Sequence, residues 1–102
     1  MEKDFAITKE GAVLTVVLGD KLSVSNAPLL QEELTPYEEQ DIKKLVFDAT
    51  RLTYLSSSGV RVVLYCKKFI CSNIVIMNCH KDVLDVLDIV GIRSFLTFVT
   101  SE

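Results

Sequence analysis

Leu45-Val46-Phe47-Asp48-Ala49, then Leu52-Thr53-Tyr54-Leu55, then Ser56-Ser57-Ser58-Gly59 and Val60 onward to Ser72 is the stretch whose reading decides the fold. Its first five residues are a short, continuous apolar run interrupted only by an acid near its end, the pattern of a central strand parallel to a neighbour. Val60, Val62 and Val63 favour a strand by propensity. Three features favour a helix instead: the serine cluster supplies caps, Val60, Val63, Leu64 and Cys71 form one face, and thirteen residues are long for a strand. Parallel strands also need a crossover between Ala49 and Ile74, and a helix is the usual one. The sequence therefore predicts a helix from Ser58 to about Cys71.

Upstream, Phe5 and Ile7 with Val13, Thr15 and Val17 read as one side of a hairpin, and Ala12, Leu14, Val16 and Leu18 as the other. Glu10-Gly11 is the turn material, and the second strand reads as buried on both faces. The loop Gly19 to Val24 leads to Ser25-Asn26-Ala27-Pro28, where a capping Ser or Asn followed by Pro starts a helix. Ala27, Leu30, Leu34 and Tyr37 recur at helical spacing, with Gln31, Glu32, Glu33 and Glu38 on the wet side. Downstream, Asn73 to Met77 reads as a buried strand. Lys81 to Val90 reads as a helix with Val83, Leu84, Leu87 and Val90 inward and Gly91 as its left-handed cap. Phe95 to Val99 closes the chain as a strand. The order is β-β-α-β-α-β-α-β, an α/β mixed β-sheet layered by helices.

The chain has 102 residues and 11.4 kDa, room for a single domain spanning residues 1–102. With 49% hydrophobic and 25% charged residues it can bury a core, which excludes disorder as the main state. No apolar run approaches the ~18 residues that span a bilayer, and Met1-Glu2-Lys3-Asp4 is no signal-peptide start. A net charge of −3 argues against nucleic acid or direct binding to an anionic membrane. The expected place is the cytoplasm. Cys66, Cys71 and Cys79 fit that compartment, being odd in number and without the paired spacing of a disulfide framework or zinc site.

Few residues offer chemistry. His80, the only histidine, lies beside Cys79 with no third ligand nearby, so neither a metal site nor a Cys-His nucleophile is expected. Asp82, Asp85 and Asp88 read as the solvated face opposite Val83 and Leu87. The serine run lacks the Gly-x-Ser-x-Gly elbow and a base close in sequence, which disfavours a hydrolase. No metal, cofactor or catalytic residue is expected. What remains is informative: a buried strand delivers three hydroxyls to a helix N-terminus, where free backbone N–H groups and the helix dipole favour an anion. A serine there is a plain cap, worth about 1 kcal/mol, or a phosphoacceptor whose dianion the same amides stabilise. The residues alone favour the cap.

Leu45 to Asp48 followed by Leu52 to Leu64 resembles the signature of the STAS domain, found in bacterial anti-sigma-factor antagonists and in the cytoplasmic tails of sulfate transporters. Ser25-Asn26-Ala27-Pro28-Leu29-Leu30 is similar to the start of that family's first helix. Val83 to Ile92 with Phe95 is similar to its closing helix and strand. Each piece is weakly specific, but three in order cover nearly the whole chain. In the antagonist branch the motif runs Asp-Ser-Ser/Thr-Gly, and the serine after the aspartate is phosphorylated. By position that serine is Ser57, with Ser58 and Gly59 following. Ser56 stands in the aspartate's place, and Ser23 falls at a second acidic position; both changes remove negative charge beside the acceptor.

The resemblance implies an antagonist that performs no chemistry itself, needs no cofactor and is a monomer when free. Its unmodified form would bind an anti-sigma factor that is also an ATP-dependent serine kinase, and so release a sigma factor. Phosphorylation of Ser57 would end the binding, and a phosphatase would restore it. The implied binding face comprises Ser23, Ser25, Asn26, Ser56, Ser58, Gly59 and Arg61. Ser56 in place of aspartate favours a second reading, a STAS adaptor that holds a protein partner constitutively, for example in a membrane-transport assembly, with Ser57 only a helix cap. A nucleotide-binding module has weaker support, because no glycine-rich phosphate loop is present.

Overall fold

A computed structural model describes residues 4–100. Strands β1 (Phe5–Glu10) and β2 (Val13–Leu18) form the expected antiparallel hairpin. The two-residue turn is Gly11-Ala12, with Gly11 at φ +61°, a conformation glycine adopts without a Cβ penalty. Phe5 pairs with Leu18 and Ile7 with Val16. Directly opposite residues share a face, so Phe5 and Ile7 lie with Leu14, Val16 and Leu18. The expected grouping with Val13, Thr15 and Val17 is corrected by this register.

A two-residue strand, β3 (Lys21–Leu22), precedes helix α1 (Ala27–Leu34). A 3-10 turn, Thr35–Glu39, follows and holds Tyr37, which therefore packs beside the core from outside the α-helix. Pro36 explains the change: it has no N–H to continue the helical ladder. Next come β4 (Lys44–Asp48), the two-residue β5 (Tyr54–Leu55), α2 (Ser57–Phe69), β6 (Ile74–Met77), α3 (Lys81–Ile89), a 3-10 turn at Arg93–Phe95, and β7 (Thr97–Val99). The valines of α2 are helical, as predicted. Gly91 closes α3 at φ +82°.

The main sheet has five strands in the order β1-β2-β4-β6-β7, parallel except for the β1–β2 pair. It is the expected mixed α/β sheet. The strands after the hairpin are laid down in one direction, so crossovers of the usual right-handed sense put every helix on the same side. The buried cluster agrees: Leu30, Val63 and Leu87 from the three helices join Leu14, Val16, Phe47 and Ile76 from one sheet face. The other face carries Val13, Thr15 and Val46, half-buried, and Val17, exposed. Strand β2 is therefore covered on one face only, contrary to the expectation. Leu64 and Val90 also point outward, and Leu84 is half-buried. Gly59 and Val62 are buried in their turn of α2 instead.

The two short strands were not anticipated. They pair with each other in parallel, Lys21 with Tyr54 and Leu22 with Leu55, as a separate ribbon that bridges the two loops before α1 and α2.

Candidate functional site

The ribbon brings the two halves of the predicted site together. Asp20 O accepts from the N–H groups of Thr53 (2.8 Å) and Tyr54 (3.2 Å), and Ser56 N donates to Leu22 O at 3.0 Å. Leu22 and Leu55 turn inward, and the first turn of α2 lands on them. Gly59 is what allows so close an approach. A Cβ there would sit 2.5 Å from Leu55 Cδ1 and 2.8 Å from Leu22 O.

The three serines have three different environments. Ser56 is the N-cap, in an extended conformation (φ −93°, ψ 175°), and its Oγ accepts from Gly59 N at 3.4 Å. Ser57, the first helical residue, is exposed and its side chain makes no hydrogen bond among the described residues. Ser58 is half-buried and faces a groove between α1 and α2 of about 300 Å³, with Arg61 on its own wall and Pro28, Gln31 and Glu32 on the other. Tyr65 OH ties α2 to the 3-10 segment by donating to a Glu38 carboxylate oxygen, with Thr35 Oγ1 3.4 Å from the same hydroxyl. Burial raises the Tyr65 pKa, and that bond to Glu38 raises it further.

Across the ribbon, Ser23, Val24, Ser25 and Asn26 form a turn in which Ser23 O accepts from the N–H groups of Asn26 (3.2 Å) and Ala27 (2.8 Å). Asn26 occupies the N-cap position of α1, but its side chain makes no capping bond, which corrects the simple capping role. Buried at 4% exposure, it accepts from Ser23 N at 2.8 Å and donates to Lys21 O at 2.9 Å and Asp4 Oδ2 at 3.2 Å. Asn26 is thus a structural tie for the site more than a contact surface. The Ser23 and Ser25 hydroxyls lie 3.1 Å apart.

Two residues that the sequence reading passed over stand out. Val24 at the tip of this turn is 74% exposed, and Tyr54 on β5 is 53% exposed. An apolar residue between Ser23 and Ser25, in a loop with no core to reach, is the signal that could have found Val24.

The remaining candidates have ordinary duties. His80 Nε2 lies 2.7 Å from Thr50 O and donates to it. Asp85 pairs with Lys81 (3.0 Å) and Asp88 with Arg93 (3.6 Å) on the surface. Among the described residues no group of three His, Cys, Asp or Glu gathers as a metal site. Cys66 and Cys71 are free and buried, and Cys79 is free and half-buried. No helix among the described residues is long and apolar enough to cross a membrane.

A model of the STAS domain matches residues 4–102. No curated protein sequence matches. Among solved structures the chain is similar to the anti-sigma factor antagonist SpoIIAA in its unphosphorylated form, at 16% identity and TM-score 0.80, over 92% of this chain and 86% of that one. It is also similar to Bacillus SpoIIAA in the phosphorylated form, at 15% identity and TM-score 0.72, over 92% and 89%. A third likeness is to the murine anion transporter Slc26a9, at 13% identity and TM-score 0.61, over 87% of this chain but only 16% of that one. At these identities the structures establish a shared fold.

Proposed function

This chain belongs to the STAS domain family, and from that membership we propose that it is an anti-sigma-factor antagonist switched by phosphorylation of Ser57. The unmodified form binds an anti-sigma factor that is also an ATP-dependent serine kinase, releasing a sigma factor in the cytoplasm. Modification ends the binding and a phosphatase reverses it. The chain is the substrate of this chemistry and not its agent. The observation that carries the reading is the division of labour among the serines: Ser56 caps the helix, Ser58 faces the groove, and only Ser57 presents a free, exposed hydroxyl. The docking face comprises Ser57, Ser58 and Arg61 with the Ser23–Asn26 turn, and Val24 and Tyr54 add apolar surface beside it.

Phosphorylation adds about −1.5 to −2 charge and three acceptor oxygens to that face. An unpaired charge at a desolvated contact costs several kcal/mol, and each 1.4 kcal/mol is about tenfold in affinity. Ser57→Ala should bind and resist switching, and Ser57→Asp should bind at least about tenfold more weakly at similar thermal stability. Isothermal titration of both against the cognate anti-sigma factor tests this. Equal affinities would return Ser57 to the role of a first-turn helix residue.

A constitutive STAS adaptor is the second reading, favoured by Ser56 in place of the family aspartate. Mass mapping after incubation with the cognate kinase separates the two. Phosphate on Ser57 supports the switch, and an unmodified chain supports the adaptor.

A further inference from the structure

We propose that a phosphate on Ser57 is held in cis by Arg61, so that modification also withdraws this arginine from the groove between α1 and α2. The proposal rests on the reading of Ser57 as phosphoacceptor. Ser57 and Arg61 are four residues apart on one helix, hence neighbours on its surface with Cβ atoms roughly 5–6 Å apart. The order is the favourable one, anion on the N-terminal side and cation one turn later. Arg61 lines the groove in the unmodified chain, and because a long side chain on a helix can lean towards the N-terminus, the first turn is within its reach. Arg61 is exposed and has no ion-pair partner among the described residues. It is therefore available, and its planar fork matches phosphate oxygens two at a time.

Charges on the neighbouring elements include Glu32 on the facing wall of the groove, Glu33 beside it on α1, Asp20 and Lys21 at β3, and Asp4 against Asn26. Among the cations of α2, Lys67 and Lys68 lie in its last turn, and only Arg61 lies one turn from Ser57. In the modifying step the γ-phosphoryl group of ATP moves to Ser57 Oγ. The new Oγ–P bond replaces the bond to the leaving ADP oxygen, and the hydroxyl proton departs to the kinase or to water. In the unmodified chain Arg61 is free to meet a partner's carboxylate. In the phosphorylated chain it is occupied, so a single event both adds a repelling group and removes an attracting one.

The test needs neither kinase nor anti-sigma factor. Phosphoserine is installed at position 57 during translation of the full chain, and its second ionisation is followed by phosphorus NMR, alongside Arg61→Gln and Arg61→Lys. A free phosphoserine ionises near pH ~6. The clamp predicts a lower value in the native sequence, a rise of about half a unit in Arg61→Gln, and an intermediate value in Arg61→Lys, which keeps the charge and loses the fork. Slowed exchange of the Arg61 Nε proton on modification is the companion observation, and it is independent of any variant's folding. Identical titrations in native and Arg61→Gln chains, with unchanged Nε exchange, overturn the proposal. That result would leave the antagonist reading untouched, and a chain that binds no anti-sigma factor would leave the clamp untouched.

Discussion

Adding one methyl group at Gly59 should loosen the whole site. The position is buried, and a Cβ there would lie 2.5 Å from Leu55 Cδ1, 2.8 Å from Leu22 O and 3.1 Å from Leu22 Cγ. A Leu55 methyl can rotate away, but Leu22 O is backbone and already accepts the Ser56 N–H at 3.0 Å. To relieve the contact, α2 must move away from the β3–β5 ribbon, which stretches that bond. Overpacking of this kind costs about 1–3 kcal/mol, and a weakened hydrogen bond adds roughly 0.5–1.5 kcal/mol. Alanine's better helix propensity returns up to about 1 kcal/mol. The net expectation for Gly59→Ala is a loss of about 1–3 kcal/mol, or on the order of 5–20 °C in melting temperature for a domain of this size. Urea and thermal unfolding followed by circular dichroism measure it. A variant as stable as the native chain would refute the packing argument, because helix propensity alone predicts a gain.

Burial pushes the Cys66 thiol from near 9 up to about 12. Between those values the unfolded chain releases a proton that the folded chain keeps, so stability falls with rising pH, by about 1.4 kcal/mol per unit above pH 9. Urea midpoints between pH 8 and 10.5 should show this slope in the native chain and a shallower one in Cys66→Ala. Asn26→Ala should cost about 1–3 kcal/mol, because the Ser23 N–H and Lys21 carbonyl lose their partner. Asn26→Asp should be unstable at neutral pH and recover below about pH 4, since a buried carboxylate would face Lys21 O and Asp4 Oδ2. Flat pH dependence in Asn26→Asp would show that the side chain is not held as described.

What the sequence made legible was whatever carries a period or a fixed chemistry. The apolar run Leu45 to Phe47 and the serine cap before Val60 were enough to set strand and helix around the site, even against the β-propensity of three valines. Two-residue strands carry no period. Lys21-Leu22 and Tyr54-Leu55 pair across more than thirty residues of chain, as the Thr53–Asp20 bond at a separation of 33 shows. The faces of β1 were misassigned because the alternation was carried straight through the turn: a two-residue turn sets Glu10 opposite Val13, so the odd-numbered residues of β1 share a face with the even-numbered residues of β2. Asn26 has a local capping motif, yet its bonds go to Lys21 and, 22 residues away, to Asp4. Propensity describes the near neighbours and tertiary structure chose the distant ones.

The same ties constrain how any switch at Ser57 can work. The first turn of α2 is fixed by Ser56 N on Leu22 O and by the close seat of Gly59. The facing turn is fixed by Asn26. Ser57 itself is exposed and lies outside all of these bonds. A phosphate added there breaks none of them, and exposed at a helix N-terminus it gains only about 0.3–1 kcal/mol from the dipole. The stability of the chain should therefore change by far less than its affinity for a partner that must pack against the phosphate. A conformational switch would show the reverse, a large change in stability with modification even when no partner is present. Comparing the unfolding midpoint of the phosphoserine chain with that of the unmodified chain separates the two mechanisms. A rise or fall of more than about 2 kcal/mol, beyond what dipole and one surface ion pair supply, would mean that the scaffold yields to the phosphate.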